Sequence, residues 1–299
     1  MPRSEAEFVA DLVAGLPVDA RLEVPAGDDA AVLRPPAGRR TVVTVDMLME
    51  GVDFVLGEGC PPAAVGHKAV AVNLSDLAAM GARPEAIVVA VALPRQGGFE
   101  LGQRVQAGVA KAAAEHGLAI AGGDTNSWNG PLVVSVTAIG SVPPGAAWRR
   151  DGARAGDLLV VSGPCGGSLL GRHLAVRPRC REAAAIAGRY EVHAAIDVSD
   201  GLSLDLARMM DASGTAAVLD LDAVPIHPDA AAMAARHGDG RSPLDHALGD
   251  GEDFELLLAL PPAEARRLVA DGTPPLGEAA FTIIGSVVEG RGLFAETHS

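Results

Sequence analysis

At 299 residues, 48% of them apolar, the chain is long enough to bury the cores of two ordinary domains. A formal net charge of −14 argues against nucleic acid or an anionic membrane as a main partner. The three cysteines, Cys60, Cys165 and Cys180, form no C-x-x-C pair and no disulfide framework, so they read as reduced thiols packed as small hydrophobes.

The opening M-P-R-S-E-A-E-F carries no apolar h-region, and no apolar run reaches the length of a membrane span, so a soluble, cytoplasmic protein is expected. Ser4 and Glu7 have capping-box spacing ahead of a short helix with Phe8 and Leu12 on one side. Residues 27–31, G-D-D-A-A, turn into Val32 and Leu33. Residues 39–48 read as a strand whose period of two puts Thr44 and Asp46 on one face and Val43 and Val45 on the other.

The segment of residues 68–94 organises the first half. Val70, Leu74 and Leu77 recur at helical spacing, and Asn73, Asp76 and Met80 share a second face of the same helix. Gly81 stops that helix, and residues 86–93 follow as a continuous apolar strand. A second helix is expected over 99–116, and a short strand over 118–121 ending in G-G-D-T. A further strand follows over 132–139, before the break P-P-G at 143–145.

Beyond the break the pattern restarts. A strand over 157–162 leads to the turn G-P-C-G-G-S at 163–168 and then a helix, an arrangement able to cradle an anion. A strand over 194–198 meets S-D-G, and the next helix has Leu202, Leu206 and Met209 on one face, with Gly214 after its end. Residues 247–253 form a glycine-rich acidic turn feeding alternate Phe254, Leu256, Leu258 and Leu260, while the tail after Gly290 offers little to pack. The reading is an α/β protein with mixed, α+β-type sheets in two domains, residues 1–143 and 144–299.

The acids Asp28, Asp29, Asp46, Asp76, Asp124, Asp197, Asp200, Glu252 and Asp253 stand at expected strand ends, on the organising helix or in glycine turns. Hard oxygen ligands held one or two per ion suit magnesium, with water and nucleotide phosphates completing the shell. Neither a G-x-x-x-x-G-K-[ST] loop nor a G-x-G-x-x-G loop is present. The histidines lack zinc spacing, and D-V-S-D-G is not a nucleophile elbow. Spacing alone therefore gives an acidic, magnesium-type site with no named substrate.

Six motifs occur in order: G-D-D-A-A-V-L, T-V-D-M-L-M-E-G-V-D-F, K-A-V-A-V-N-L-S-D-L-A-A-M-G-A, G-G-D-T, I-D-V-S-D-G-L and G-D-G-E-D-F-E-L. Together they resemble the thiamine-monophosphate kinase family, of the superfamily that includes aminoimidazole ribonucleotide synthetase. The resemblance implies a homodimer built through the N-terminal sheets, several Mg²⁺ ions, ATP as co-substrate, and transfer of its γ-phosphate to thiamine monophosphate. It assigns Asp29, Thr44, Asp46, Asp76, Asp124, Asp197 and Asp200 as metal ligands and Gly123, Asp124, Arg150 and Ser199 as nucleotide contacts. Glu252 matches a substrate contact, and Asp53 stands on the acceptor side where the family has a histidine. No catalytic group beyond the metal ligands is implied.

Val45 replaces the usual hydroxyl residue, and residues 296–299 end the chain without the family's glycine-aromatic segment. The alternatives are a related enzyme acting on a different small phosphorylated acceptor and a non-catalytic nucleotide-binding protein. A full set of unused buried carboxylates would only destabilise the fold, which disfavours the second.

Overall fold

The computed structural model describes residues 5–237, 240–272 and 280–297. It divides into two compact units, residues 1–77 with 83–145 and residues 78–82 with 146–299. Among the described residues no helix is long and apolar enough to cross a membrane. The capping box at Ser4 lies outside the described residues.

The elements of the first half run α1 (Glu5–Ala14), β1 (Leu22–Val24), β2 (Val32–Leu33), β3 (Arg40–Met49), α2 (Pro62–Ala79), β4 (Arg83–Pro94), α3 (Gly98–Glu115), β5 (Ala119–Trp128) and β6 (Val133–Val142). β1 and β2 make a small hairpin, and the other strands form a sheet in the order β3-β6-β4-β5. β6 is antiparallel to both neighbours, whereas β4 and β5 run parallel, joined by α3 as the crossover helix. Val70, Leu74 and Leu77 of α2 are fully buried, as their spacing predicts, and Gly81 ends the helix with φ 62°. The opposite face of β3 is apolar yet open: Val43, Val45 and Met47 are 62%, 61% and 57% exposed.

The expected short strand over 118–121 is longer than its apolar run. Parallel pairing with β4 carries β5 on through Gly122, Gly123, Asp124 and Thr125, so this motif lies inside the strand and not at its end. Glycine is needed at 123 because a Cβ there would sit 2.1 Å from the Val89 carbonyl oxygen.

The second half adds β7 (Leu158–Val161), α4 (Cys180–Ile186), β8 (Ala194–Asp197), α5 (Leu202–Ser213), β9 (Ala216–Asp220), α6 (Pro228–His237), α7 (Pro243–Gly249), β10 (Leu256–Leu260), α8 (Pro262–Asp271), β11 (Thr282–Val288) and β12 (Gly292–Glu296). The six strands order as β12-β9-β11-β7-β10-β8. Leu202, Leu206 and Met209 of α5 are fully buried against a core that includes Leu159, Ile196 and Leu257. All three cysteines are buried, and none forms a disulfide among the described residues.

Four expectations for this half are corrected. The turn at 163–168 leads into two short 3₁₀ turns, Ser168–Leu170 and Arg172–Leu174, and not into a helix. Residues 247–249 belong to α7, whose capping box is made by Ser242 and Asp245, so the acidic turn begins at Asp250. β10 is buried at every position, because it lies between β7 and β8 with both faces covered. The tail is not idle: β12 pairs parallel with β9, and Leu293 packs on the core.

Candidate active site

In the first unit, the alternation of β3 turns Thr44 and Asp46 inward while Val43, Val45 and Met47 turn out. The Thr44 hydroxyl donates to the Asp76 carboxylate on α2. Asp46 is half-buried, and its carboxyl is pushed up to about 6, first by burial and then by the charges of Asp76 and Asp53. The structure thus brings Thr44, Asp46, Asp53 and Asp76 into one oxygen-rich cluster.

Asp53 closes the turn after β3. Its carboxylate accepts from the Met49 amide at 2.7 Å, and its carbonyl accepts from the Lys68 ammonium at 3.0 Å. One of its oxygens therefore serves the backbone. Asn73, one turn before Asp76, donates to the Ala69 carbonyl at 2.9 Å, and its own side-chain oxygen is buried without a hydrogen bond.

Two family-matched acids of this unit stand apart from the cluster. Asp29 is exposed in its turn, its amide bound to the Asp28 carboxylate at 2.8 Å. Asp124 is exposed on β5 in register with Ala90, which in turn aligns with Ser135 and Met47. Aligned residues share a face, so Asp124 lies on the side of Met47, opposite Asp46.

The second unit gathers another group at the end of β8. Asp197 is buried as the last residue of that strand, followed by half-buried Ser199 and exposed Asp200. The loop carrying Glu252 presses against them: the Glu252 amide donates to the Ser199 carbonyl at 2.7 Å, and the Phe254 amide to the Val198 carbonyl at 2.8 Å. A Cβ on Gly251, whose φ is 73°, would sit 2.7 Å from the Ser199 carbonyl oxygen, so only glycine permits this approach. Arg150 is exposed, and its carbonyl accepts from the Ser213 hydroxyl at 2.9 Å.

Sequence reasoning missed Asp205. This buried residue of α5 accepts from the amides of Ser199 and Asp200 at 3.0 and 2.8 Å and from Arg208 at 2.9 Å, and Arg208 also bonds Asp200. The signal was an acid in the first turn of the helix after S-D-G, where amides lack partners. The proposed anion cradle at 163–168 is already filled from within the chain: the Gly166 and Gly167 amides donate to the carboxylates of Asp253 and Asp250.

Among the described residues, no three His, Cys, Asp or Glu side chains converge closely enough to hold an ion alone. Magnesium does not ask for that, since it keeps water and takes one or two carboxylates. The mutual repulsion around Asp46 and the unbonded Asn73 oxygen nearby in sequence on α2 fit a hard divalent cation.

Comparison with known proteins gives the chain its place. Residues 27–142 match the AIR synthase related protein N-terminal domain, and residues 147–298 match the C-terminal domain. A thiamine-monophosphate kinase of Rhodopirellula baltica is 44% identical over 277 residues, covering 90% of this chain and 84% of the relative. The crystal structure of thiamine-monophosphate kinase from Stenotrophomonas maltophilia K279a superposes with a TM-score of 0.82 at 32% identity, covering 97% of this chain and 95% of that one. A structure of AaThiL complexed with AMPPCP and TMP matches with a TM-score of 0.74 at 29% identity over 90% and 87% of the two chains. With both domain models matched and this level of identity along most of its length, the chain belongs to the thiamine-monophosphate kinase family of AIR synthase related proteins.

Proposed function

We propose that this protein transfers the γ-phosphoryl group of ATP to the phosphate of thiamine monophosphate. A phosphate oxygen of the acceptor attacks the γ-phosphorus in line, the bond to the β–γ bridging oxygen breaks, and ADP and thiamine diphosphate leave. No covalent enzyme intermediate is needed, so the work of the chain is positioning and charge control.

The carrying observation is the cluster of Thr44, Asp46 and Asp76, in which burial and neighbouring carboxylates hold the Asp46 proton to about 6. Asp46 and Asp76 are the ligands for magnesium in the first unit, with the Thr44 hydroxyl fixing Asp76. Asp197 and Asp200 are ligands in the second, with Asp205 holding the turn that carries Asp200. When bound, magnesium would neutralise the triphosphate and align the transferring group. In the first unit Gly123 is assigned to the nucleotide, Asp29 adds a carboxylate from its exposed turn and Asp53 is assigned to the acceptor; in the second, Arg150 and Ser199 are assigned to the nucleotide and Glu252 to the acceptor.

The same reading includes a two-fold homodimer. An apolar stripe of Val43, Val45 and Met47 facing solvent supports burial of that sheet face against a second copy. Asp124 lies on this face and acts at the dimer interface, not in the Asp46 cluster of its own chain.

The test is ADP release measured with magnesium and ATP, with and without thiamine monophosphate, alongside chromatography for thiamine diphosphate. Acceptor-dependent ADP release with matching thiamine diphosphate is expected. ADP release that ignores the acceptor, or none at all, would contradict the reading.

A further inference from the structure

The loop that presents Glu252 is held in an unusual way. Glu252 and Phe254 have φ of 57° and 53°, and they are the non-glycine residues with positive φ among the described residues. Side-chain-bearing residues rarely adopt this left-handed conformation, and it persists only where the surroundings fix it. The backbone bonds to Ser199 and Val198 fix one side of the loop.

Asp253, between the two left-handed residues, and Glu255, just after them, are each held by an arginine. The side chain of Asp253 is fully buried, and its oxygens accept from the Gly166 amide at 3.0 and 2.9 Å. Arg172 Nη2 donates to Asp253 at 2.8 Å and to the Gly166 carbonyl at 2.9 Å, closing a ring with the same glycine. Glu255 is gripped by both Nε and Nη2 of Arg179 and by the Ser162 hydroxyl. Arg172 thus reaches the residue lying between the two left-handed ones, while Arg179 anchors the entry to β10.

We propose that Arg172 is a positioning residue for the acceptor: through Asp253 it holds Glu252 in its left-handed conformation and so fixes where the Glu252 carboxylate stands. The proposal rests on the reading in which Glu252 contacts thiamine monophosphate. A purely structural role for the ion pair would lower stability without separating the two substrates, whereas a positioning role must. Removing Arg172 leaves the buried Asp253 carboxylate without its cationic partner, so the loop shifts to rehydrate the carboxylate and carries Glu252 with it. Displacement of a contact group by about 1 Å can cost on the order of a hundredfold in efficiency.

Steady-state kinetics on wild type, Arg172→Ala, Arg172→Lys, Asp253→Asn and the Arg172→Ala/Asp253→Asn double variant provide the test. Arg172→Ala should raise KM for thiamine monophosphate by roughly tenfold or more while KM for ATP stays within about twofold. Arg172→Lys should recover part of the loss, because it restores charge without the two-pronged geometry. The double variant should be no worse than the single ones, since both break the same link. If Arg172→Ala does not fold, Arg172→Lys carries the comparison with a smaller rise in the same constant. Equal rises for both substrates, or an unchanged acceptor KM beside a lowered melting temperature, would overturn the assignment of Arg172 alone. A wild-type enzyme that makes no thiamine diphosphate would overturn the acceptor reading, and this proposal with it.

Discussion

Carboxylates are treated in opposite ways in two regions of this molecule. Around Asp46 in the first unit, half-buried acids crowd one another, and the charges of Asp76 and Asp53 add to burial in raising the proton affinity of Asp46. Around Asp253 in the second unit, buried acids are answered one by one. Asp253 has Arg172 and the Gly166 amide, Glu255 has Arg179, and Asp250 has Arg241, His246 and the Gly167 amide. Burying a carboxylate is costly, so answered acids serve as scaffold, and the crowded ones are those proposed above to take a cation from outside. Motif matching treats both groups alike; only the geometry separates them.

The largest effects should come from the crowded set. Asp46→Asn and Asp76→Asn should each lower turnover by about a hundredfold or more, since charge control of the phosphoryl group is the main catalytic contribution. Both should fold normally by circular dichroism, and Asp46→Asn should melt no lower than wild type in chelator, because it removes repulsion. Wild-type turnover in both variants would sink the metal assignment.

Asp205→Ala should act on stability. The amides of Ser199 and Asp200 and the guanidinium of Arg208 lose their acceptor, for a loss of about 1–3 kcal/mol in stability. Denaturant unfolding would read this directly, and an unchanged midpoint would mean that Asp205 is not scaffold.

How much of this was legible beforehand depends on whether a feature is local. The buried stripe of α2, the two faces of β3 and the stop at Gly81 follow from spacing within one element. Features set by pairing between distant segments were not legible. The face of Asp124 depends on a register running across β5, β4, β6 and β3, and the burial of all of β10 depends on strands from elsewhere in the chain. The glycine turn at 163–168 looked like an anion cradle because its amides were free in sequence; Asp250 and Asp253, more than eighty residues away, supply the anions.

A smaller effect concerns pH. In chelator, Asp46 and Asp253 both titrate near about 6 in the folded protein, above the ordinary carboxyl value of about 3.9. Between those values the folded state keeps protons that the unfolded chain has released, so stability should fall as pH rises through this window. Melting temperatures from pH 4 to 7 test the sign, after comparison with Asp46→Asn, which should flatten the slope. A slope unaltered in that variant would place the proton elsewhere.

The smallest effect should come from Asp53→His. The substitution removes the carboxylate that accepts from the Met49 amide, for a loss of about 1 kcal/mol, while placing a donor where the family carries histidine. A lower KM for thiamine monophosphate is expected with a slightly lower melting temperature. A higher KM would make the Asp53 carboxylate a working part of the acceptor site.

The contrast between crowded and answered acids is tested most directly by manganese in place of magnesium. Bound ion is counted by electron paramagnetic resonance in the presence of a non-hydrolysable ATP analogue. Wild type, Asp46→Asn and Asp76→Asn would be compared with Glu85→Gln, whose parent carboxylate is buried in the same unit but answered by Arg83 at 3.1 Å and the Ser141 hydroxyl at 2.8 Å. The account predicts reduced manganese binding in the first two variants and wild-type binding in Glu85→Gln. Full occupancy in Asp46→Asn and Asp76→Asn, or an equal loss in a folded Glu85→Gln, would contradict it.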